Sequence, residues 1–109
     1  MILILKHKWY DMIASGEKRE EYRDYNDRNL KLADKLNRLP PDERIIEFRR
    51  GYTKTTLKIR VNKIGEQRFY FSPLKRMTEG FKLLPSWGYE RNRDLIIFQL
   101  GEIVKGGQG

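Results

Sequence analysis

The chain has no cysteine and a single histidine, His7, among its 109 residues. Disulfides, a thiolate nucleophile and cysteine-built zinc sites are therefore excluded, and one imidazole cannot make a histidine-rich metal centre. The acids are not gathered with other ligands at metal-binding spacing, so neither a metal nor a cofactor is expected. Long apolar runs are also lacking. The opening Met1-Ile2-Leu3-Ile4-Leu5 is broken by Lys6, far short of a signal-peptide core or a membrane span. No membrane association is expected, and a reducing cytoplasm is the natural setting. Acidic residues are outnumbered: 23 Lys and Arg face 15 Asp and Glu, giving a net charge of +8. Such a field attracts polyanions, of which nucleic acid is the commonest.

The length suits one domain with one modest core, over residues 1–105, followed by a disordered tail at 106–109. Ile2 to Leu5 is apolar on both faces and reads as a buried strand at the heart of a sheet. Trp9, Met12 and Ile13 fall at i, i+3 and i+4, which predicts a short helix to Ala14 with Gly16 as a left-handed cap. A second helix is predicted over 28–38. Asn26 or Asp27 caps it, Leu32, Leu36 and Leu39 form its apolar stripe, and Pro40-Pro41 stops it.

Strands are expected at 19–24, 45–50, 55–62, 67–71 and 95–100, with a turn at Gly51-Tyr52. In the clearest of them Leu57, Ile59 and Val61 alternate with Thr56, Lys58, Arg60 and Asn62, so one face is apolar and the other basic. Residues 72–93 carry Pro73, Gly80, Pro85 and Gly88 and read as a long loop, a candidate ligand wall. The expected class is α+β: a small, mainly antiparallel sheet of five to six strands with two helices, curled into a barrel.

The stretch Ser15-Gly-Glu-Lys-Arg-Glu-Glu-Tyr-Arg-Asp24 crowds charges of both signs around one tyrosine. Alternation along a strand puts Glu21 and Arg23 on one face and Tyr22 on the other, while Gly16 permits a turn that brings Lys18 back across the mouth of the barrel. An acceptor and a fork of donors side by side can read a base edge. They grip bare phosphate poorly, because Glu21 repels it. The competing reading is that Glu21 and Arg23 simply pair with each other or with neighbours.

The motif Gly16-x-Lys18-x-x-Glu21-x-Arg23, after a strand and a helix, resembles the signature of the ASCH domain of the PUA-like superfamily of RNA-associated β-barrels. The likeness continues through RRGYTKTTLKIRVNKI and PSWGYERNRDLIIFQLGEIV, which look like the middle and end of small phage and bacterial ASCH proteins, and spans about Ile2 to Val104. It implies a PUA-like barrel with a cleft built on Lys18, Glu21 and Arg23, with Lys6 nearby, that holds a single-stranded or modified nucleotide of RNA.

Some relatives are hydrolases: one amidohydrolase deacetylates N4-acetylcytidine, and ribonuclease activity has been attached to others. This gives the alternative reading, with Lys18 and Glu21 as catalytic candidates. In the amidohydrolase a threonine stands where this chain has Glu21, so the hydroxyl nucleophile is absent here.

Three further groups are candidates for nucleic-acid contact. Tyr52, at a hairpin tip with Arg49, Arg50 and Lys54 around it, combines a stacking face with cations. Lys58 and Arg60 form a backbone-tracking row. Trp87, beside Gly88 and Tyr89, can either close over a flipped base or anchor the long loop. Trp9 is assigned to the core, and His7 to local hydrogen bonding. Oligomeric state is left open.

Overall fold

The computed structural model describes residues 2–69 and 75–108. The elements in chain order are β1 (Ile2–Leu5), α1 (His7–Ala14), β2 (Glu20–Asp24), α2 (Asp27–Asn37), a 3-10 turn at Pro41–Glu43, β3 (Ile45–Arg50), β4 (Thr56–Arg68), β5 (Lys75–Met77), a second 3-10 turn at Pro85–Trp87 and β6 (Leu95–Gln108). The protein is α+β, with a mostly antiparallel sheet in the order β1-β3-β4-β6-β2 and β5 added to β4. Among the described residues only β1 and β3 pair in parallel. No helix among the described residues is long and apolar enough to cross a membrane.

Local chemistry explains the two helices. The side chain of Asn26 accepts from the Asn29 amide at 2.9 Å and caps α2, whose Leu32, Ala33 and Leu36 are buried. Helix α1 buries Tyr10 and Ile13 and ends at Ser15; Gly16 follows with φ +85°, the left-handed conformation that glycine adopts without steric cost. Both helices pack on the sheet face that carries Leu3, Leu5, Phe48, Leu57, Ile59 and Phe98.

Four expectations are corrected. Among the described residues β1 is an outermost strand, paired with β3, and Ile4, on the face opposite the buried Leu3 and Leu5, is exposed and borders a cleft. Strand β4 is one long element through Arg68, so the separate strand expected at 67–71 begins as its continuation; residues 70–74 lie outside the described residues. The loop expected at 72–93 contains β5. Finally, β6 extends through 106–108, with Gln108 opposite Thr56, where an unstructured tail was expected. Gly109 lies outside the described residues.

Register shifts interrupt the β4–β6 ladder between Thr56 and Lys63. Such irregularities bend and twist a sheet. The bend brings the two outermost strands, β1 and β2, to opposite sides of one cleft.

Candidate functional site

The cleft between β1 and β2 has a volume of about 420 Å³, within the range of about 300–1,000 Å³ usual for small-ligand sites. Strand β1 and its end supply Ile4, Leu5 and Lys6; α1 supplies Trp9; the following turn supplies Lys18; β2 supplies Glu21, Tyr22 and Arg23; the long loop supplies Gly88 and Glu90. The turn after α1 is closed by the Lys18 amide donating to the Met12 carbonyl at 2.9 Å, which points the chain back under the helix.

The Lys18 ammonium donates to the Trp87 carbonyl at 2.6 Å and lies 3.0 Å from Oε1 of Glu21. It also sits 4.4 Å from the centre of the Trp9 ring and 5.5 Å from that of Tyr22. The other Glu21 oxygen, Oε2, is 3.4 Å from the Arg23 guanidinium. The side chains of Lys18 and Glu21 are 3% and 4% exposed, whereas that of Arg23 is 24% exposed. Lys18 thus lies beneath the cleft instead of across its mouth, because a carbonyl, a carboxylate and two aromatic faces together replace its water. Glu21 and Arg23 do share a strand face, and they do pair with each other. Arg23 is the member of the cluster that faces solvent.

Tyr22 leaves β2 on the opposite strand face, with Glu20, and its ring still reaches the edge of the cleft beside the Lys18 ammonium. Its hydroxyl donates to Oε1 of Glu20 at 2.8 Å and accepts from the Leu84 amide at 3.1 Å, and its ring meets Tyr89 edge-on at 5.5 Å. Burial, and then the adjacent Glu20 carboxylate, push the Tyr22 phenol well above its ordinary range.

The long loop forms one wall of the cleft, held by two buried polar side chains that the sequence reading missed. Glu20 accepts from the backbone amides of Lys82 at 2.7 Å and Leu83 at 2.9 Å, in addition to Tyr22. Leu83 has φ +55°, a conformation this clamp holds in place. Gln67 donates to the carbonyls of Glu90, Arg91 and Arg93 and accepts from the Tyr89 hydroxyl at 2.5 Å. Nothing in a lone strand glutamine or one more glutamate in a charged run signals burial; only the loop backbone they satisfy explains it.

The remaining candidates divide by position. Lys6 is exposed at the rim of the cleft, and Trp9 both packs against the core and lines the cleft. The Trp87 ring is 6% exposed and borders a neighbouring cavity with Arg19, Glu20 and Lys82, so it anchors the loop and reaches the cleft only through its carbonyl. Arg50 is engaged with Asp11 of α1 through two hydrogen bonds of 2.8 and 3.0 Å, and this pairing holds the Asp11 carboxyl below its ordinary range. Tyr52 is 93% exposed. Lys58 and Arg60 lie on the sheet face away from the core, where Arg60 donates to the Asp42 carbonyl at 2.7 Å and pairs with Glu102 at 3.4 Å. Among the described residues no group of three or more acidic or histidine side chains is placed to hold a metal ion.

Comparison with protein-family models, curated proteins and solved structures gives no match.

Proposed function

We propose that the protein is an ASCH-like, nucleic-acid-binding module that takes one nucleotide of a single strand, expected to be RNA, into the cleft between β1 and β2. The supporting observation is the cluster itself. A buried Lys18–Glu21 pair holds Arg23 at the edge of a cavity that also contains the Trp9 ring and the Lys6 side chain. Arg23 supplies planar donors for a base edge or a phosphate, the aromatic wall supplies a face, and Lys6 adds charge at the rim. Lys58, Arg60 and the net charge of +8 supply affinity without selectivity. In this reading the bent sheet is an incompletely closed PUA-like barrel, and the cleft is its gap. A cysteine-free chain of this kind fits a reducing cytoplasm.

The hydrolase alternative has less support. The described residues lining the cleft include no serine, threonine, cysteine or histidine, and each Glu21 oxygen is held by a cation. Turnover there has no hydroxyl, thiol or imidazole of serine, threonine, cysteine or histidine to begin from, and Glu21, the carboxylate that would activate a water, is already paired on both oxygens.

Intrinsic fluorescence tests the proposal. The chain has two tryptophans, one in the cleft and one buried within the long loop. Titration with short single-stranded RNA is expected to change the emission of the wild type and of Trp87→Phe, but not of Trp9→Phe. A Trp9 signal indifferent to every RNA places no nucleotide in the cleft and sets the proposal aside.

A further inference from the structure

The β3–β4 hairpin is fixed directly against the rim of the cleft. The Gly51 amide donates to the Leu5 carbonyl at 2.8 Å, and Leu5 is followed by Lys6, both of which line the cavity. Gly51 has φ +56°, and a side chain on it would meet Nε2 of His7 at 2.6 Å, so the histidine lies closely on the hairpin backbone. The two hydrogen bonds from Arg50 to Asp11 tie the same hairpin to α1. The turn is closed internally as well. The Arg50 amide donates to the Thr55 carbonyl at 2.9 Å, and the Thr53 hydroxyl donates to the Arg50 carbonyl at 2.6 Å. At the tip of this braced turn Tyr52 is 93% exposed, beside exposed Lys54 and across Gly51 from exposed His7 and Lys6.

A single exposed tyrosine is ordinary on any surface. This one differs in being carried on a turn anchored at three points, next to a cavity, with the exposed Lys6 between the two. That arrangement fits a strand of nucleic acid and not an isolated nucleotide: one base in the cleft, the linking phosphate over Lys6 and His7, and the next base on an aromatic face. A lysine between the cavity and the ring calls for an anionic link at that point, which the phosphate of a nucleic-acid strand supplies.

We infer that Tyr52 is a second base-binding subsite, stacking the nucleotide adjacent to the one held in the cleft. The inference rests on the reading of the cleft as a nucleotide site and adds that the ligand is at least a dinucleotide of single-stranded character. Loss of the ring is expected to weaken binding about tenfold, the lower range of base-stacking contributions.

The test compares cytidine and adenosine 5′-monophosphates, titrated to millimolar concentration, with the corresponding trinucleotides, for the full chain and for Tyr52→Ala and Tyr52→Phe. Thermal unfolding of the variants checks the fold, which an exposed side chain leaves unchanged. Tyr52→Ala is expected to bind trinucleotides about tenfold more weakly with mononucleotide affinity unaltered, and Tyr52→Phe to behave as wild type. Equal trinucleotide affinity in wild type and Tyr52→Ala, with mononucleotides still bound, overturns the subsite and leaves the cleft reading standing. Equal losses for mononucleotide and trinucleotide also overturn it, since the ring then acts on the cleft. Failure of the wild type to bind any of the four ligands overturns both readings.

Discussion

The ammonium of Lys18 lies 3.0 Å from a carboxylate oxygen of Glu21, with both side chains almost wholly withdrawn from water. Burying two charges costs more than an exposed pair can return, so such a pair persists only where further partners complete it. Here the Trp87 carbonyl and the Trp9 ring complete Lys18, and Arg23 completes Glu21. The pair therefore joins three elements at the base of the cleft: the turn after α1, strand β2 and the long loop.

Removing one partner is expected to cost far more than removing both. Lys18→Met leaves a buried carboxylate with Arg23 alone and should lower stability by about 3 kcal/mol, whereas Lys18→Met combined with Glu21→Gln should recover much of that loss. Urea unfolding of the two singles and the double measures the coupling. Additive losses would show that the two side chains do not stabilise each other.

Glu20 is expected to govern the loop separately from the core. Glu20→Gln keeps the volume but turns a donor toward amides that need an acceptor, at a cost of about 1–3 kcal/mol. Hydrogen exchange at the amides of residues 82–84 should accelerate while α2 keeps its protection. Unchanged exchange at 82–84 would mean that the loop is held by something else.

The acid side of the stability profile should report the Arg50–Asp11 contact. Its hydrogen bond lowers the Asp11 pKa from 3.8, so the unfolded chain binds more protons than the folded one as the pH falls. The contribution is complete above the ordinary carboxylate range and lost as the pH drops through the depressed folded value. Arg50→Ala should be less stable than wild type at neutral pH, and the difference should disappear in strong acid. A difference that persists there would assign the effect of Arg50 to packing.

At the alkaline end the sign reverses. Burial raises the phenols of Tyr22 and Tyr10 above 10.0, so the folded chain keeps protons that the unfolded chain releases. Stability is full below about pH 10 and declines above it. Tyr10 and Tyr22 should ionise only as the protein unfolds, seen as a late step in ultraviolet absorbance that coincides with loss of circular dichroism. Ionisation of Tyr10 and Tyr22 while the circular dichroism of the folded protein persists would contradict the packing at both rings.

Much of the fold was legible because it follows from local signals. Asn26 and the proline pair bracket α2, Gly16 ends α1, and the alternation at Leu57, Ile59 and Val61 marks the core face of β4. The placement of β1 was not legible, since four apolar residues look alike at the centre and at the rim of a sheet. The spacing of Lys18, Glu21 and Arg23 foretold that they meet. It could not foretell that Lys18 is buried, because its principal acceptor is the backbone of Trp87, 69 residues away. Gln67 was missed for the same reason: its role is to satisfy carbonyls of the loop at 90–93.

The most direct test of the cleft is equilibrium binding of a short single-stranded RNA to the wild type and to Arg23→Ala between 50 and 200 mM salt. Wild-type affinity should fall with salt at about 0.7 log units per log unit for each phosphate engaged. Arg23→Ala should bind about tenfold more weakly at every salt concentration, since it removes the solvent-facing donor; Lys18 still holds the other Glu21 oxygen, and thermal unfolding of the variant checks that the cluster keeps its fold without the second partner of Glu21. Binding that ignores both salt and Arg23, or no binding at all, would contradict the account.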